Sequence, residues 1–364
     1  MILAGALCAA VAITLPGGCG TDPQRATTAT STTTTTVPVV ACDALPPTEA
    51  AAQLLVETVA DAAAAAADVA AGRIGGYAFV TDQSNAVGSQ IAATNGSSRS
   101  SIPLIVASDE EGGTVQRLKQ VLGPLPSARD VARTRTPAQA HDAAHDYARK
   151  LTALGITMVF GPVLDVGTGS AIGSRSFSPN PAVVSRYARA VASGLADGGV
   201  VPVVKHWPGL GRGQTDTHLA ADQLPQLGDL ASTDLQPFRD AIAAKAPAIM
   251  VSHAIVPGLG PDPVSRSSAA LSIELRDAEG FGGMIITDAL DMGAAQMPGG
   301  QGAAAEASII AGADIALIAG PGSATVAHDR LTQAITAGRI GPSRLHDALR
   351  HVMAVKGRRC GGRA

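Results

Sequence analysis

Aromatic residues are scarce in this chain: Trp, Tyr and Phe together make 2% of 364 residues, so an interior has to be packed from Ala, Val, Leu and Ile. The one Trp, Trp207, is expected to be packing first, as large apolar side chains generally are. Neither sign of charge is in excess, the formal net charge being −3. That gives no ground for a nucleic-acid partner or a charged tail. No Gly-rich dinucleotide fingerprint follows the first predicted strand and no P-loop occurs, which removes the commonest reasons for an open nucleotide-binding sheet. No serine stands in a G-x-S-x-G elbow, which argues against a serine hydrolase. Cysteines number four, and none falls among the candidate site residues.

What is present begins with an apolar stretch, residues 1–18. It is too short to span a bilayer comfortably and ends in small residues before Cys19. It reads as a signal peptide of the bacterial lipoprotein kind, with Cys19 as the lipidated residue, although no Lys or Arg precedes the apolar run and Pro16 occupies a usually aliphatic position. An ordinary cleaved signal peptide is the alternative. Residues 19–45 are expected to be a lipidated tether, because the Thr-rich run TTATSTTTTT has no apolar payload to offset ordering entropy. The folded body, residues 46–360, would then be exported and anchored to the outer face of the cytoplasmic membrane through lipid only. In that oxidising setting Cys42 and Cys360, just before and just after the body, could form a bridge.

Within the body, strand-like and helix-like stretches alternate. Residues 51–72 are Ala-rich and read as one helix. Strands are predicted at 74–80, 103–108, 156–165, 200–204, 248–252, 283–287 and 315–319. Helices are predicted at 137–155, 181–199, 232–245 (with Ser232 or Thr233 as N-cap), 301–312, 324–338 and 342–356. This alternation implies a parallel sheet, closed or doubly wound. Seven strands are clear. An eighth, needed for a regular barrel, has no obvious place.

Five strands in turn release an ionisable residue at their C-terminal end: Asp109 (with Arg117 following), Asp165, Lys205 with His206, His253, and Asp288. One such Asp would be an ordinary helix cap; five together converge on the mouth of a barrel. The loop after the fourth of the predicted strands, in VPVVKHWPGLGRGQTDTH, adds Asp216 and His218, two apart and so on one side of an extended segment. A metal-dependent hydrolase drawing ligands from His206, His218, His253 and Asp288 is one reading. Against it, no His-x-His pair follows the first strand, and Lys205 and Arg117 would stand beside the cation. The other reading is a polyol site with one carboxylate nucleophile, in which Asp216 orients His218 as proton donor.

The runs DEEGGTVQR, FGPVLDV, IGSRSF, KHWPGLGRGQTDTH and IITDALDMGA occur in this order between about residues 51 and 356. In them the chain resembles the single-domain, NagZ-like β-N-acetylhexosaminidases of glycoside hydrolase family 3, and among these the exported actinobacterial lipoproteins. The resemblance implies an α/β fold, a single TIM-like (β/α)8 barrel with one strand irregular or missing, and no metal or cofactor. It implies Asp288 as nucleophile and His218, paired with Asp216, as general acid/base. Asp109, Arg117, Arg175, Lys205 and His206 would grip the hydroxyls and acetamido group of a terminal sugar. The implied activity is retaining, exo-acting release of β-GlcNAc from peptidoglycan-derived GlcNAc–MurNAc fragments by a monomer. Phosphorolysis by the same residues, or sugar binding without catalysis, are the alternatives. Leu210 stands where many relatives have His, Trp207 where they have Phe, and Ala289 where many have a second Asp. Glycines 209, 211 and 213 are expected to let the acid/base loop close.

Overall fold

The computed structural model describes residue 12 and residues 37–167, 169, 172–213 and 222–361. Asp216, His218 and Cys19 lie outside them. Eight parallel strands close on themselves in chain order: β1 Leu55–Val59, β2 Gly76–Phe79, β3 Ile105–Ser108, β4 Met158–Val163, β5 Val201–Trp207, β6 Ala248–Val251, β7 Met284–Ala289 and β8 Ile315–Ala319. Six of them (β1, β2, β3, β4, β6 and β8) are buried along their whole length, and apart from Glu57 and Thr58 in β1 and Ser108 in β3 the sequence reads there as apolar runs rather than alternating ones. Helices cover the outside, giving a TIM-like (β/α)8 barrel.

The strand without an obvious place is β1, and it lies inside the stretch predicted as one helix. Pro47–Gln53 is α-helical, but Leu55–Val59 then enters the sheet, and the alanines after it form a short 3-10 turn, Ala62–Ala65, and a short α-helix, Ala66–Ala70. Val56, Thr58 and Val59 are β-branched and lose little on entering a strand. The sheet also closes only if this segment bridges β8 and β2, with Leu317 and Gly76 flanking Val56. Tertiary closure therefore overrides the helical preference of the surrounding alanines.

Other helices follow local signals. Pro137–Ala153 starts in a capping box of Thr136 and Gln139, and Pro181–Asp197 starts on Asn180, whose side chain accepts the N–H of Ala182. The predicted cap at Ser232 or Thr233 is not used. Ser232 closes a separate short helix, Leu227–Ala231, and the next begins at Gln236 with Pro237 in its first turn. Thr233 instead donates its hydroxyl to Asp234, at 2.6 Å.

Val37–Ala364 forms one compact unit. Its ends meet: Val39–Val40 pairs in parallel with Arg359–Cys360, and a disulfide joins Cys42 to Cys360, with Cα atoms 5.3 Å apart. Trp207, Tyr77, Phe79, Phe160 and Phe238 are among the largest fully buried side chains, so Trp207 does serve as packing.

Candidate active site

The mouth of the barrel is built where ladders become irregular. Register shifts fall between Phe160 and Gly161 in β4, between Val204 and Trp207 in β5, and between Ile286 and Ala289 in β7. Such bulges re-aim side chains that a regular strand would turn away. In β5 the consecutive residues Lys205 and His206 both reach the same polar cluster. The peptide between them is cis, as are Gly161–Pro162 and Trp207–Pro208. In β7 the hydroxyl of Thr287 takes the N–H of Leu317 at 3.0 Å, filling the gap left in the ladder, and Asp288 follows at the partly open strand end.

Beyond β3 the chain makes a small hairpin, Glu110–Gly112 with Val115–Gln116, turning on Gly112 and Gly113 at φ +88° and +61°. Asp109 and Glu111, two apart, project together from it. Lys205 Nζ donates to Asp109 Oδ1 at 2.5 Å and pairs with Glu111 Oε1 at 2.7 Å. Arg175 forks onto Glu111 through Nε at 2.7 Å and Nη2 at 2.8 Å. Arg117 stands 3.7 Å from Asp109. Burial pushes the Glu111 carboxyl up, but Lys205 and Arg175 outweigh it and hold it well below the usual carboxylate range. For Lys205 burial works downward, and Asp109 and Glu111 overcome it, keeping the ammonium charged.

Fully buried Asp165 organises the other half. It accepts the ring Nδ1–H of His206 at 2.7 Å and the backbone N–H groups of His206 and Leu210 at 3.2 and 2.7 Å. With Nδ1 donating, Nε2 of His206 faces the Arg175 Nη2 donor at 3.4 Å as an acceptor. Arg129 steadies the segment carrying Arg175 by donating to the carbonyls of Gly167, Gly173 and Ser176.

Asp288 accepts the N–H of Ala289 at 2.9 Å. Burial pushes its carboxyl up, yet the combined field of His206 and His253, the Ala289 N–H and Lys205 brings it below its ordinary value. It is thus ionised at neutral pH and partly accessible. His253 has both ring nitrogens engaged, Nε2 with the Ala289 carbonyl at 3.0 Å and Nδ1 with Ser265 Oγ at 2.7 Å, and burial lowers its pKa. A ring so occupied supports the backbone beside Asp288 and has no lone pair free for a metal.

The structure therefore brings Asp109, Arg117, Arg175, Lys205 and His206 into one ion-paired network, with Asp288 in its field. Glu111 is the member that sequence reasoning passed over. The alternation in DEEGG, which puts Glu111 on the side of Asp109, was the available signal. Glu110, on the other side, accepts from Ser108 at 2.6 Å, from the backbone N–H groups of Arg117 and Leu118, and from Tyr147 at 2.6 Å. Burial nevertheless raises its pKa to about 7.

The glycines expected to act as hinges are packed instead. A Cβ on Gly211 would lie 1.9 Å from the Val166 carbonyl oxygen, one on Gly213 would lie 2.2 Å from Asp222 Oδ2, and one on Gly209 would lie 2.9 Å from Asp234 Cβ. Arg212 between them is clamped by Asp234 at 2.8 Å through Nε. In this structure residues 209–213 form a closely packed stem.

The Glycosyl hydrolase family 3 N terminal domain matches residues 48–355. The chain is 39% identical over 324 residues to the β-hexosaminidase LpqI of Mycobacterium tuberculosis, covering 86% of this chain and 83% of that protein. A crystal structure of a family 3 glycosyl hydrolase from Mycobacterium smegmatis superposes with a TM-score of 0.82 at 39% identity, over 87% of this chain and 99% of the other. A family 3 β-N-acetylglucosaminidase from Paenibacillus sp. superposes with a TM-score of 0.81 at 29% identity, over 86% of this chain and 62% of its own. A single eight-stranded barrel, an ionised carboxylate at its mouth and a family match across the whole folded body lead to one conclusion: the chain belongs to glycosyl hydrolase family 3 and is a glycoside hydrolase.

Proposed function

We propose that this enzyme is a retaining exo-β-N-acetylglucosaminidase that removes terminal β-GlcNAc from peptidoglycan-derived GlcNAc–MurNAc fragments. The observation that carries the reading is Asp288. It is an ionised carboxylate at the open strand end, facing a network of Asp109, Glu111, Lys205, Arg175 and His206 whose charges are already paired. A pre-paired network offers fixed donors and acceptors to sugar hydroxyls without leaving an isolated charge when water is displaced.

In this mechanism Asp288 attacks the anomeric carbon, and the bond to the leaving oxygen breaks as His218, oriented by Asp216, delivers a proton to it. Water then adds to the glycosyl–Asp288 ester, giving its proton to the same imidazole and returning both side chains to their starting state. The β-hexosaminidase relatives support the substrate class, and the peptidoglycan fragment is the aglycone we assign to an exported, lipid-anchored enzyme. Holding the acceptor proton on an imidazole leaves phosphate admissible as an alternative nucleophile, because no second carboxylate repels it.

A chromogenic β-GlcNAc substrate tests the reading. Turnover should be lost at least about 10³-fold in Asp288→Ala, since removing a nucleophile forfeits the covalent route, and should be indifferent to a chelator. Turnover that survives in Asp288→Ala sinks the assignment. Product analysis on purified muropeptides, with and without phosphate, distinguishes free GlcNAc from its 1-phosphate.

A further inference from the structure

The catalytic mouth lies at the C-terminal ends of the strands. A second cavity, of about 270 Å³, opens at the opposite end, where Pro247 leads into β6 and Gly282 and Gly283 lead into β7. Its remaining wall carries three arginines, Arg350, Arg358 and Arg359, beside His351, Met284, Ala354 and Cys360. Arg350 is exposed and donates to Asp347 at 3.0 Å. The Arg358 guanidinium reaches only its neighbour's carbonyl, that of Gly357, at 3.2 Å, and exposed Arg359 has no ion-pair partner among the described residues.

Alongside runs the Val39–Val40 strand, with Val39 opposite Arg359. Val37 and Val39 are 50% and 52% exposed, which sets them among the few large apolar side chains left open among the described residues. They stand two apart, Val37 just ahead of the short strand and Val39 within it. A few open valines fringed by arginines, of which Arg358 and Arg359 have no ion-pair partner among the described residues, form neither a core nor a shaped pocket for a protein partner. They have the composition of surfaces that rest on lipid headgroups. The chain preceding Val37, which carries the Thr-rich tether and Cys19, joins the folded body at this same edge.

We infer that this end of the barrel docks on an anionic phospholipid surface, with Val37 and Val39 entering the interface and Arg350, Arg358 and Arg359 lying on lipid phosphates. Docking there holds the catalytic mouth away from the membrane, toward soluble or wall-derived saccharides. Seventeen residues separate Cys19 from Val37, a reach of up to about 60 Å, so a tether alone leaves the orientation undefined and the docked base defines it. The surface draws on the export reading for its setting, and its test needs no catalysis.

The body 37–364 is suited to that test, because its sheet is closed, its ends are joined within it, and a relative's chain that aligns with this body over 99% of its own length has been solved by itself. Oxidised protein is sedimented with vesicles of phosphatidylglycerol and phosphatidylcholine, and with phosphatidylcholine alone, at about 0.1 M salt. Binding is expected on the anionic vesicles only. A cation near such a surface strengthens binding about fivefold, so the double variant Arg358→Glu with Arg359→Glu should weaken it more than tenfold. Val37→Ser with Val39→Ser should weaken it severalfold, and both variants should hydrolyse a soluble chromogenic substrate as the parent does. The inference is overturned by absence of binding to anionic vesicles, or by binding that neither pair of substitutions alters. It is equally overturned if inorganic phosphate at millimolar concentration abolishes binding while the valines prove irrelevant, which would mark a phosphate pocket rather than a membrane surface. Loss of chromogenic activity with vesicle binding intact would count against the catalytic reading alone.

Discussion

At the scale of single residues, buried carboxylates divide into two kinds, those given partners and those left short of them. Glu111 belongs to the first. Two cations contact its oxygens, and in this pairing it fixes both Arg175 and Lys205. Glu111→Gln removes the charge but not the shape, leaving two buried cations to share Asp109. We expect kcat/KM on a chromogenic substrate to fall about 100-fold, in line with one lost charge-assisted contact of about 2–3 kcal/mol, with the far-ultraviolet circular dichroism unchanged. A variant within twofold of the parent would show that Glu111 does not set the site. Glu57 belongs to the second kind. It is 6% exposed in the middle of β1, and its Oε2 has no hydrogen-bond partner among the described residues. Burial, and secondarily Asp68, raise its pKa from 4.5 to about 7. The folded protein therefore keeps a proton between those values that the unfolded chain has released. Stability from this group is complete below about pH 4.5 and is lost as pH rises through about 7, to the extent of about 2–3 kcal/mol. Glu57→Gln should melt higher than the parent at pH 8 and close to it at pH 4.5. An equal gap at both pH values would refute this account.

At the scale of elements, the site depends on two loops pressed together without side chains between them. Gly211, after β5, lies against the backbone of Val166, after β4, which adjoins the Asp165 that orients His206. A methyl group at 211 has no space, so Gly211→Ala must push these loops apart and take Asp165 or Leu210 with it. Misplacement by about 1 Å in a site of this kind costs on the order of 100-fold in rate. We expect that loss in kcat, with a smaller change in thermal stability, measured by steady-state kinetics and melting of the same sample. Normal turnover would mean that the stem is looser than its packing implies. The repeated GxG spacing in PGLGRG suggested freedom to move, because glycine spacing alone does not distinguish a hinge from close backbone approach.

At the scale of the whole molecule, the disulfide closes a loop of 318 residues. Chain-entropy reasoning puts its stabilisation at about 6 kcal/mol as an upper figure. The ends are also held by the Val39–Val40 ladder and by Lys356, which donates to Gln53 and to the Gly75 carbonyl at 2.6 and 2.9 Å. Cys42→Ser should therefore lower the denaturation midpoint markedly while leaving turnover of folded enzyme intact, since the bond is at the end of the barrel away from the mouth. Cys360→Ser should match it, and the double variant should add nothing. Unequal single variants would point to a role for one thiol outside the bridge.

Much of this was legible from local chemistry. Seven buried strands announce themselves as short apolar runs, and the ionisable residues after them, Asp109, Asp165, Lys205, His206, His253 and Asp288, follow from chain position alone, because a strand must end where its polar residues can reach water or each other. Motif resemblance carried the family. What required the folded molecule was non-local. Leu55–Val59 is a strand only because two other strands need it to close the barrel. Glu111 is a site residue only because Lys205 and Arg175 arrive from distant segments to meet it, and Gly211 has no room for a side chain only because another loop lies against it. Sequence encodes propensities and the order of the elements; pairing, clearance and charge balance are properties of what lies across space, and those the tertiary structure alone decided.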